Sequence, residues 1–288
     1  MKYVLTGASG KLGTFVLKYL KEHGAEQETI AVIRNEKHGS AIKELGFEVR
    51  IADYTDENSL VKAFRGGERL LFISSLPGGE TPRIKQHENA VTAAKKAGIG
   101  FIAYTGLAKA DQSMSILAPD HAATERMIIE SGIDHSFLRN NWYLENELPV
   151  FERTNLTGVF AYSAGNGRVG WALRREYAEV CTNILLGIDK STGALEISGQ
   201  AISYSDIAAS YAKISEKPFE EKSFDDEAYK EFLQNANVPE KAIGGTIAIQ
   251  KDIREGALDI DHSDFERVLG RPLTPLQDAI KEILKGNA

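Results

Sequence analysis

The sequence predicts an α/β fold: a doubly wound parallel sheet with a smaller C-terminal α/β lobe. Three observations predict it. Short apolar runs alternate with amphipathic helical segments through the first half of the chain. One run, Leu70-Leu71-Phe72-Ile73, has no polar break, as expected of a strand buried on both faces. A glycine-rich string, Thr6-Gly7-Ala8-Ser9-Gly10-Lys11-Leu12-Gly13, lies directly between the first apolar run and the first helical pattern. Strands that alternate with helices at this spacing imply parallel βαβ units with helices on both faces.

Each element carries its own signal. Tyr3 to Leu5 is a short strand, and Leu12, Phe15, Val16, Tyr19 and Leu20 mark the helix after it. Thr29 to Ile33 and Phe47 to Ile51 are the second and third strands. Leu60, Val61, Ala63 and Phe64 mark another helix, and Leu70 to Ile73 is the fourth strand. The helix from Ile84 to Ala97 ends at Gly98, a natural C-cap. Ile99 to Tyr104 is the fifth strand. Pro119-Asp120 opens a helix to Ser131 with Gly132 behind it, and Ser136 to Leu138 is the sixth strand. Past residue 150 the pattern loosens. A glycine-rich loop from Gly158 to Gly170 precedes a helix from Arg174 to Leu186. A strand over Leu195 to Ile197 and a helix from Tyr204 to Ile214 capped by Ser203 follow. Residues 216–288 are charged, helix-prone and broken by prolines. The expected division is a nucleotide-binding domain over residues 1–150, to which some later segments return, and a smaller substrate or lid lobe over residues 151–288.

Bulk properties remove several function classes. A chain of 288 residues that is 42% hydrophobic can bury a sizeable core. Its formal net charge of -7 argues against general nucleic-acid binding, which needs a basic surface. No apolar stretch approaches the length of a membrane span, and no signal segment precedes the first strand, so the expected location is cytoplasmic. The single cysteine, Cys181, shares a helical face with Ala178 and Leu185 and reads as a small buried hydrophobe. The six histidines lack metal-ligand spacing, so no metal is expected. His121 reads as a surface or capping residue.

The glycine string has the form G-x-x-G-x-x-G. Gly7 permits a tight turn, Gly10 leaves room for a pyrophosphate, and Gly13 lets the helix pack closely on the strand. The free N–H groups and positive dipole end of the new helix then face the phosphates. This is the Rossmann arrangement for a dinucleotide. At the end of the second strand, an acidic residue would select NAD. Here Arg34 follows Ile33, with Asn35 beside it and Lys11 in the turn, which points to a 2′-phosphate and hence NADP(H) over NAD(H). Asp53 ends the third strand, where it either lies beside the adenine or caps the following turn. Ser74, Ser75 and Leu76, after the fourth strand, are placed to flank the ribose and nicotinamide.

The chemistry is less legible. A Tyr-x-x-x-Lys pair would protonate a carbonyl oxygen. Tyr104 is placed for this at the end of the fifth strand, but its fourth follower is Ala108, with Lys109 one position late. Neither a hydrolase elbow nor a phosphate loop of the G-x-x-x-x-G-K-[ST] type is present. The remaining cluster is Arg139-Asn140-Asn141-Trp142-Tyr143-Leu144-Glu145-Asn146. Its amides can hold a carboxamide or carbonyl oxygen, and its aromatics can wall a flat ring. A packed loop around a buried tryptophan is the competing reading.

These pieces recur in order in one known family. The glycine string, Arg34-Asn35, Ala52-Asp53-Tyr54, Leu71 to Ser75, Phe101 to Thr105, His121-x-x-Thr124-Glu125 and Leu138-Arg139-Asn140-x-Trp142-Tyr143-x-Glu145-Asn146 together resemble the NmrA-like atypical short-chain dehydrogenases. Within them the likeness is to the bacterial NAD(P)H:quinone oxidoreductase type, over nearly the whole chain. The resemblance implies that residues 7–12, Arg34, Ser74 to Leu76 and Arg139 to Leu144 line the cofactor site. It further implies two-electron reduction of a quinone by NADPH. Gly106 stands where the family often carries serine, which removes one hydroxyl near the reacting centre. A quinone that accepts hydride becomes a delocalised aromatic anion, so ring orientation matters more than a strong acid. Tyr104, Asn140, Asn141 and Tyr143 are the candidate hydrogen-bond donors to that oxygen. No flavin is expected, since direct hydride transfer suffices. The expected partner is a small quinone or similar activated acceptor, and a homodimer is compatible with the chain. The alternative reading is an NADP(H)-binding redox sensor of the NmrA type without turnover.

Overall fold

Alternation along the strands decides which residues face which layer. Val4, Leu70, Phe72, Ile102, Tyr104 and Phe137 bury one way, while Leu5, Leu71, Ala103 and Leu138 bury the other. The computed structural model describes residues 1–286. In its first half run β1 (Tyr3–Leu5), α1 (Lys11–Glu22), β2 (Thr29–Ile33), α2 (Gly39–Glu44), β3 (Glu48–Ile51), α3 (Glu57–Phe64), β4 (Arg69–Phe72), α4 (Arg83–Ala97), β5 (Phe101–Leu107), α5 (Ala118–Ser131) and β6 (Asp134–Asn140). Then come β7 (Trp142–Tyr143), α6 (Leu148–Thr157), β8 (Val159–Tyr162), β9 (Arg168–Val169), β10 (Trp171–Ala172), α7 (Arg174–Leu186), β11 (Gly193–Ile197), β12 (Ile202–Ser203) and α8 (Tyr204–Ala212). The chain closes with β13 (Glu220–Ser223), α9 (Asp226–Asn235), α10 (Glu240–Arg254), α11 (Phe265–Leu269) and α12 (Leu276–Leu284).

Seven parallel strands form the central sheet in the order β11-β6-β5-β4-β1-β2-β3. Strand order reverses between β1 and β4, and the ligand crevice of such a sheet opens at the C-terminal ends beside that reversal. One face is covered by α1, α7 and α11, the other by α3, α4 and α5. Cys181 is fully buried on the α7 side, as its helical position predicts.

The boundary at residue 150 is not a clean cut in space. The later elements α7, β11 and α11 belong to the sheet's layers. The second lobe's core in turn takes Leu107, Ala108, Ala118 and Leu144 from the earlier half and packs them with Phe151, Phe160, Trp171 and Tyr204. Two differences from the sequence reading bear on function. β5 runs to Leu107, three residues past Tyr104, and β6 runs to Asn140, two past Leu138. Helix α6, absent from the sequence reading, opens on Leu148-Pro149 and packs Val150 and Phe151 into the second core.

Candidate active site

The glycine string folds as a turn that only glycine tolerates at two of its positions. Gly7 has φ +63°, and a Cβ on Gly13 would lie 2.2 Å from the Gly7 carbonyl oxygen and 2.8 Å from Ala8 Cα. Helix α1 starts at Lys11 with Gly10 as its N-cap, and no side chain caps its end. The N–H groups of Lys11, Leu12 and Gly13, which lack intrahelical acceptors, therefore face outward as a ready anion site.

Across the strand reversal, the exit from β4 is fixed by side chains instead of a ladder. The Ile73 N–H donates to Thr6 Oγ1 at 3.1 Å, and the Ile73 carbonyl accepts from the Tyr54 hydroxyl at 2.6 Å. The Ser74 N–H donates to Thr105 Oγ1 at 3.0 Å, and the Ser75 N–H donates to His87 Nε2 at 3.0 Å. This leaves a rigid shelf beside the glycine turn, ending in Leu76, whose side chain is exposed.

The His87 bonds fix its tautomer. Nε2 accepts from Ser75, so Nδ1 carries the proton and donates to Thr124 Oγ1 at 2.7 Å, which in turn donates to the Asp120 carbonyl. His121 Nδ1 accepts from the Tyr104 hydroxyl at 2.8 Å. Burial, with help from nearby Arg83, depresses His87 to about 3 and His121 to about 2, so both rings stay neutral.

Several expected site residues are placed otherwise. Tyr104 is fully buried on the α4–α5 side of the sheet, where burial pushes its pKa up, so it keeps its proton and donates a hydrogen bond to His121. It sits inside β5 rather than at its end, so it cannot reach a ligand in the crevice. His121 is buried, not a surface residue. Arg139 also points to the α5 side, because Leu138 before it fills the opposite layer. Its guanidinium is bidentate to Glu125 at 2.9 and 2.7 Å and also reaches Asp111 at 2.8 Å and Glu196 at 3.2 Å. Burial works against this charge, but the carboxylates more than offset it and hold its pKa above the ordinary value. Arg139 therefore clamps β6 to α5 and β11, with four of its five N–H donors taken by carboxylates. Asn141 Nδ2 donates to Ser198 Oγ and the Leu258 carbonyl, both at 2.9 Å, and so fastens the sheet to the second lobe.

Asn140 and Tyr143 remain in the crevice wall. Asn140 Nδ2 donates to the Tyr143 hydroxyl at 3.2 Å, and Asn140 Oδ1 is buried without a partner. The Tyr143 ring packs edge-on against Tyr177, with the Arg174 guanidinium 4.9 Å above it. Burial raises the Tyr143 hydroxyl to about 12, so it stays protonated. Trp142 donates to Glu147 Oε1 at 3.0 Å. Glu147 also accepts from Trp171 and Tyr204, and burial raises its pKa. The sequence reading passed over Glu147, His87 and Thr105, each identified only by a partner far away in the chain. Arg34 is exposed and has no hydrogen-bond or ion-pair partner among the described residues. Asn35 caps the turn after β2 by accepting from the Lys37 N–H at 3.1 Å. Asp53 likewise accepts from the Thr55 N–H at 2.8 Å, the turn-capping alternative.

A dinucleotide fits these groups. Open N–H donors end the glycine turn as an anion site, Arg34 follows β2 with its guanidinium free, and the orphaned Asn140 oxygen lacks an N–H donor of the kind a carboxamide carries. Fold and site thus define a Rossmann-type dinucleotide-binding protein. The chain belongs to the NmrA-like family, whose model matches residues 2–264. It is 33% identical over 284 residues to "Quinone oxidoreductase 2" of Escherichia coli (strain K12), covering 98% of this chain and 99% of that one. The solved NADPH complex of the Escherichia coli NADPH-dependent quinone oxidoreductase superposes with TM-score 0.91 at 32% identity, over 98% of this chain and 99% of that one. The Citrobacter sp. triphenylmethane reductase complexed with NADP(H) superposes with TM-score 0.92 at 33% identity, over 98% of this chain and 100% of that one.

Proposed function

We propose that this chain is an NADPH-dependent oxidoreductase that reduces a quinone by two electrons. The observation that carries the proposal is the full-length likeness to a quinone oxidoreductase solved with NADPH. Bound NADPH supplies the hydride, from nicotinamide C4. The chain's own residues bind and orient. The α1 N-terminus takes the pyrophosphate and Arg34 the 2′-phosphate, the basis of a preference for NADP(H) over NAD(H). Asn140 Oδ1 would accept from the carboxamide N–H when the cofactor is bound. The Tyr143 hydroxyl accepts from Asn140, so its own hydrogen is free to bond the oxygen where charge develops. With neither flavin nor metal in the proposal, water at the crevice mouth supplies the remaining proton. A homodimer is part of the proposal, and light scattering checks it.

The test is NADPH oxidation with a panel of simple quinones, repeated with NADH and with Arg34→Ala. Turnover that favours NADPH, with the preference falling by about tenfold or more in the variant, supports both parts. Tight NADPH binding without turnover of any quinone overturns the reductase reading in favour of a redox sensor. The Citrobacter enzyme's likeness favours a second acceptor class, so a triphenylmethane dye belongs in the panel.

A further inference from the structure

Three arginines of this chain are nine-tenths or more buried: Arg83, Arg139 and Arg174. Arg139 is surrounded by carboxylates, and Arg174 lies over the Tyr143 ring. Arg83 has neither. Among the described residues it makes no ion pair and no side-chain hydrogen bond, and its Nε is buried without a partner. A buried donor is normally paired, since it otherwise loses its water and gains nothing in return, and at Arg83 that cost falls on Nε. Burial accordingly lowers its pKa, while Tyr104 and Asp120, in Coulombic reach, pull it back. An arginine still remains charged at neutral pH.

Its position gives the vacant charge a direction. Arg83 is the first residue of α4, a helix of 15 residues whose N-terminus has no side-chain cap and no acidic residue in its first turn. His87 lies one turn further along the same face and holds the Ser75 N–H, so this face meets the shelf that leaves β4. Arg83 and the open end of the α4 dipole thus add positive charge at the strand ends, apart from the glycine turn. Leu76, on the loop just before α4, is 86% exposed and offers apolar surface to a ring.

We propose that Arg83, with the first turn of α4, is an anion-binding subsite for the acceptor, and that acceptors bearing a carboxylate or sulfonate beside an aromatic ring are preferred. This deepens the quinone-reductase reading and rests on it only for the identity of the acceptor. An acidic group would take the guanidinium's free donors and the α4 N–H groups, while the ring lies toward Leu76.

Two measurements test it. The first is calorimetric titration of the NADP⁺-loaded protein with naphthalene sulfonate and with neutral naphthalene sulfonamide. The wild-type protein is expected to bind the sulfonate at least about tenfold more tightly, with the difference lost in Arg83→Gln and partly kept in Arg83→Lys. The second is the ratio of kcat/KM for naphthoquinone sulfonate over unsubstituted naphthoquinone, expected to fall about tenfold in Arg83→Gln. Equal affinity for the two naphthalenes in the wild-type protein overturns the subsite, and that arm needs no variant to fold. So does a variant whose main loss is NADPH affinity, which would assign Arg83 to the cofactor's phosphates. A wild-type protein that turns over neither quinone yet binds the sulfonate through Arg83 would overturn the reductase reading and keep the subsite.

Discussion

At the glycine turn, the groups offered to a ligand are backbone N–H groups that nothing else in the chain takes up. After β6 they are side chains, and most are already bonded to one another: Arg139 to Glu125, Asn141 to Ser198 and Leu258, Trp142 to Glu147. A backbone site has one geometry and one sequence signature. A side-chain cluster of the same composition serves equally as a clamp or a binding wall. The difference teaches that polar richness near a strand end is weak grounds for a ligand contact until partners are counted. Asn140 and Tyr143 stay candidates because each keeps one unused hydrogen-bonding function and neither side chain is hydrogen-bonded to the second lobe; Asn141 Oδ1 is also unpartnered, but its Nδ2 is held by Ser198 and Leu258.

The contrast can be broken most sharply at Gly13. Gly13→Val would drive a side chain into the Gly7 carbonyl, so the turn must open. NADPH affinity should fall by about a hundredfold, as expected when a binding element shifts by an ångström. Fluorescence titration reads it, and an unchanged Kd would mean the turn does not seat the phosphates. On the clamp side, Arg139→Leu strands the buried Glu125 carboxylate. Unfolding free energy should drop by about 3–5 kcal/mol in denaturant titration, with little change in NADPH Kd for the folded fraction. The reverse pattern would return Arg139 to the cofactor site.

The neutral histidines give a pH signature on the clamp side of the contrast. Their folded pKa values, about 3 and about 2, lie below the ordinary value of 6.5. Between those limits the unfolded chain binds protons that the folded chain does not, so stability is lost as pH falls below 6.5. The loss approaches about 1.4 kcal/mol per pH unit for each ring. His121→Asn, whose amide oxygen can still accept from Tyr104, should reduce the slope of unfolding free energy against pH. An unchanged slope would exclude His121 as its source. The smallest effect compares neighbours. Asn141→Ala should cost about 1–2 kcal/mol of stability through lost bonds to the second lobe. Asn140→Ala should leave stability nearly unchanged and lower kcat/KM by about tenfold. Equal behaviour of the two would erase the distinction between clamp and wall.

The sequence by itself determined the parallel sheet, the order of its first six strands along the chain and the glycine turn. These follow from local rules: apolar period, helix caps, and a turn in which Gly13 admits no side chain. The place of Arg34 was legible for the same reason, since it directly follows the second strand. Tertiary structure alone decided the rest. Placing the end of β5 three residues beyond Tyr104 turned that hydroxyl from the crevice into the α4–α5 layer. The register of β6 against β5, with Gly106 opposite Arg139 and Leu107 opposite Asn140, set Asn140 at the strand end. Partners far apart in sequence, such as Ser75 with His87, Arg139 with Glu196 and Asn141 with Leu258, fixed which polar groups were consumed. A residue's type limits which bonds it can make. Whether it keeps one for a ligand depends on neighbours that only the folded chain brings within reach.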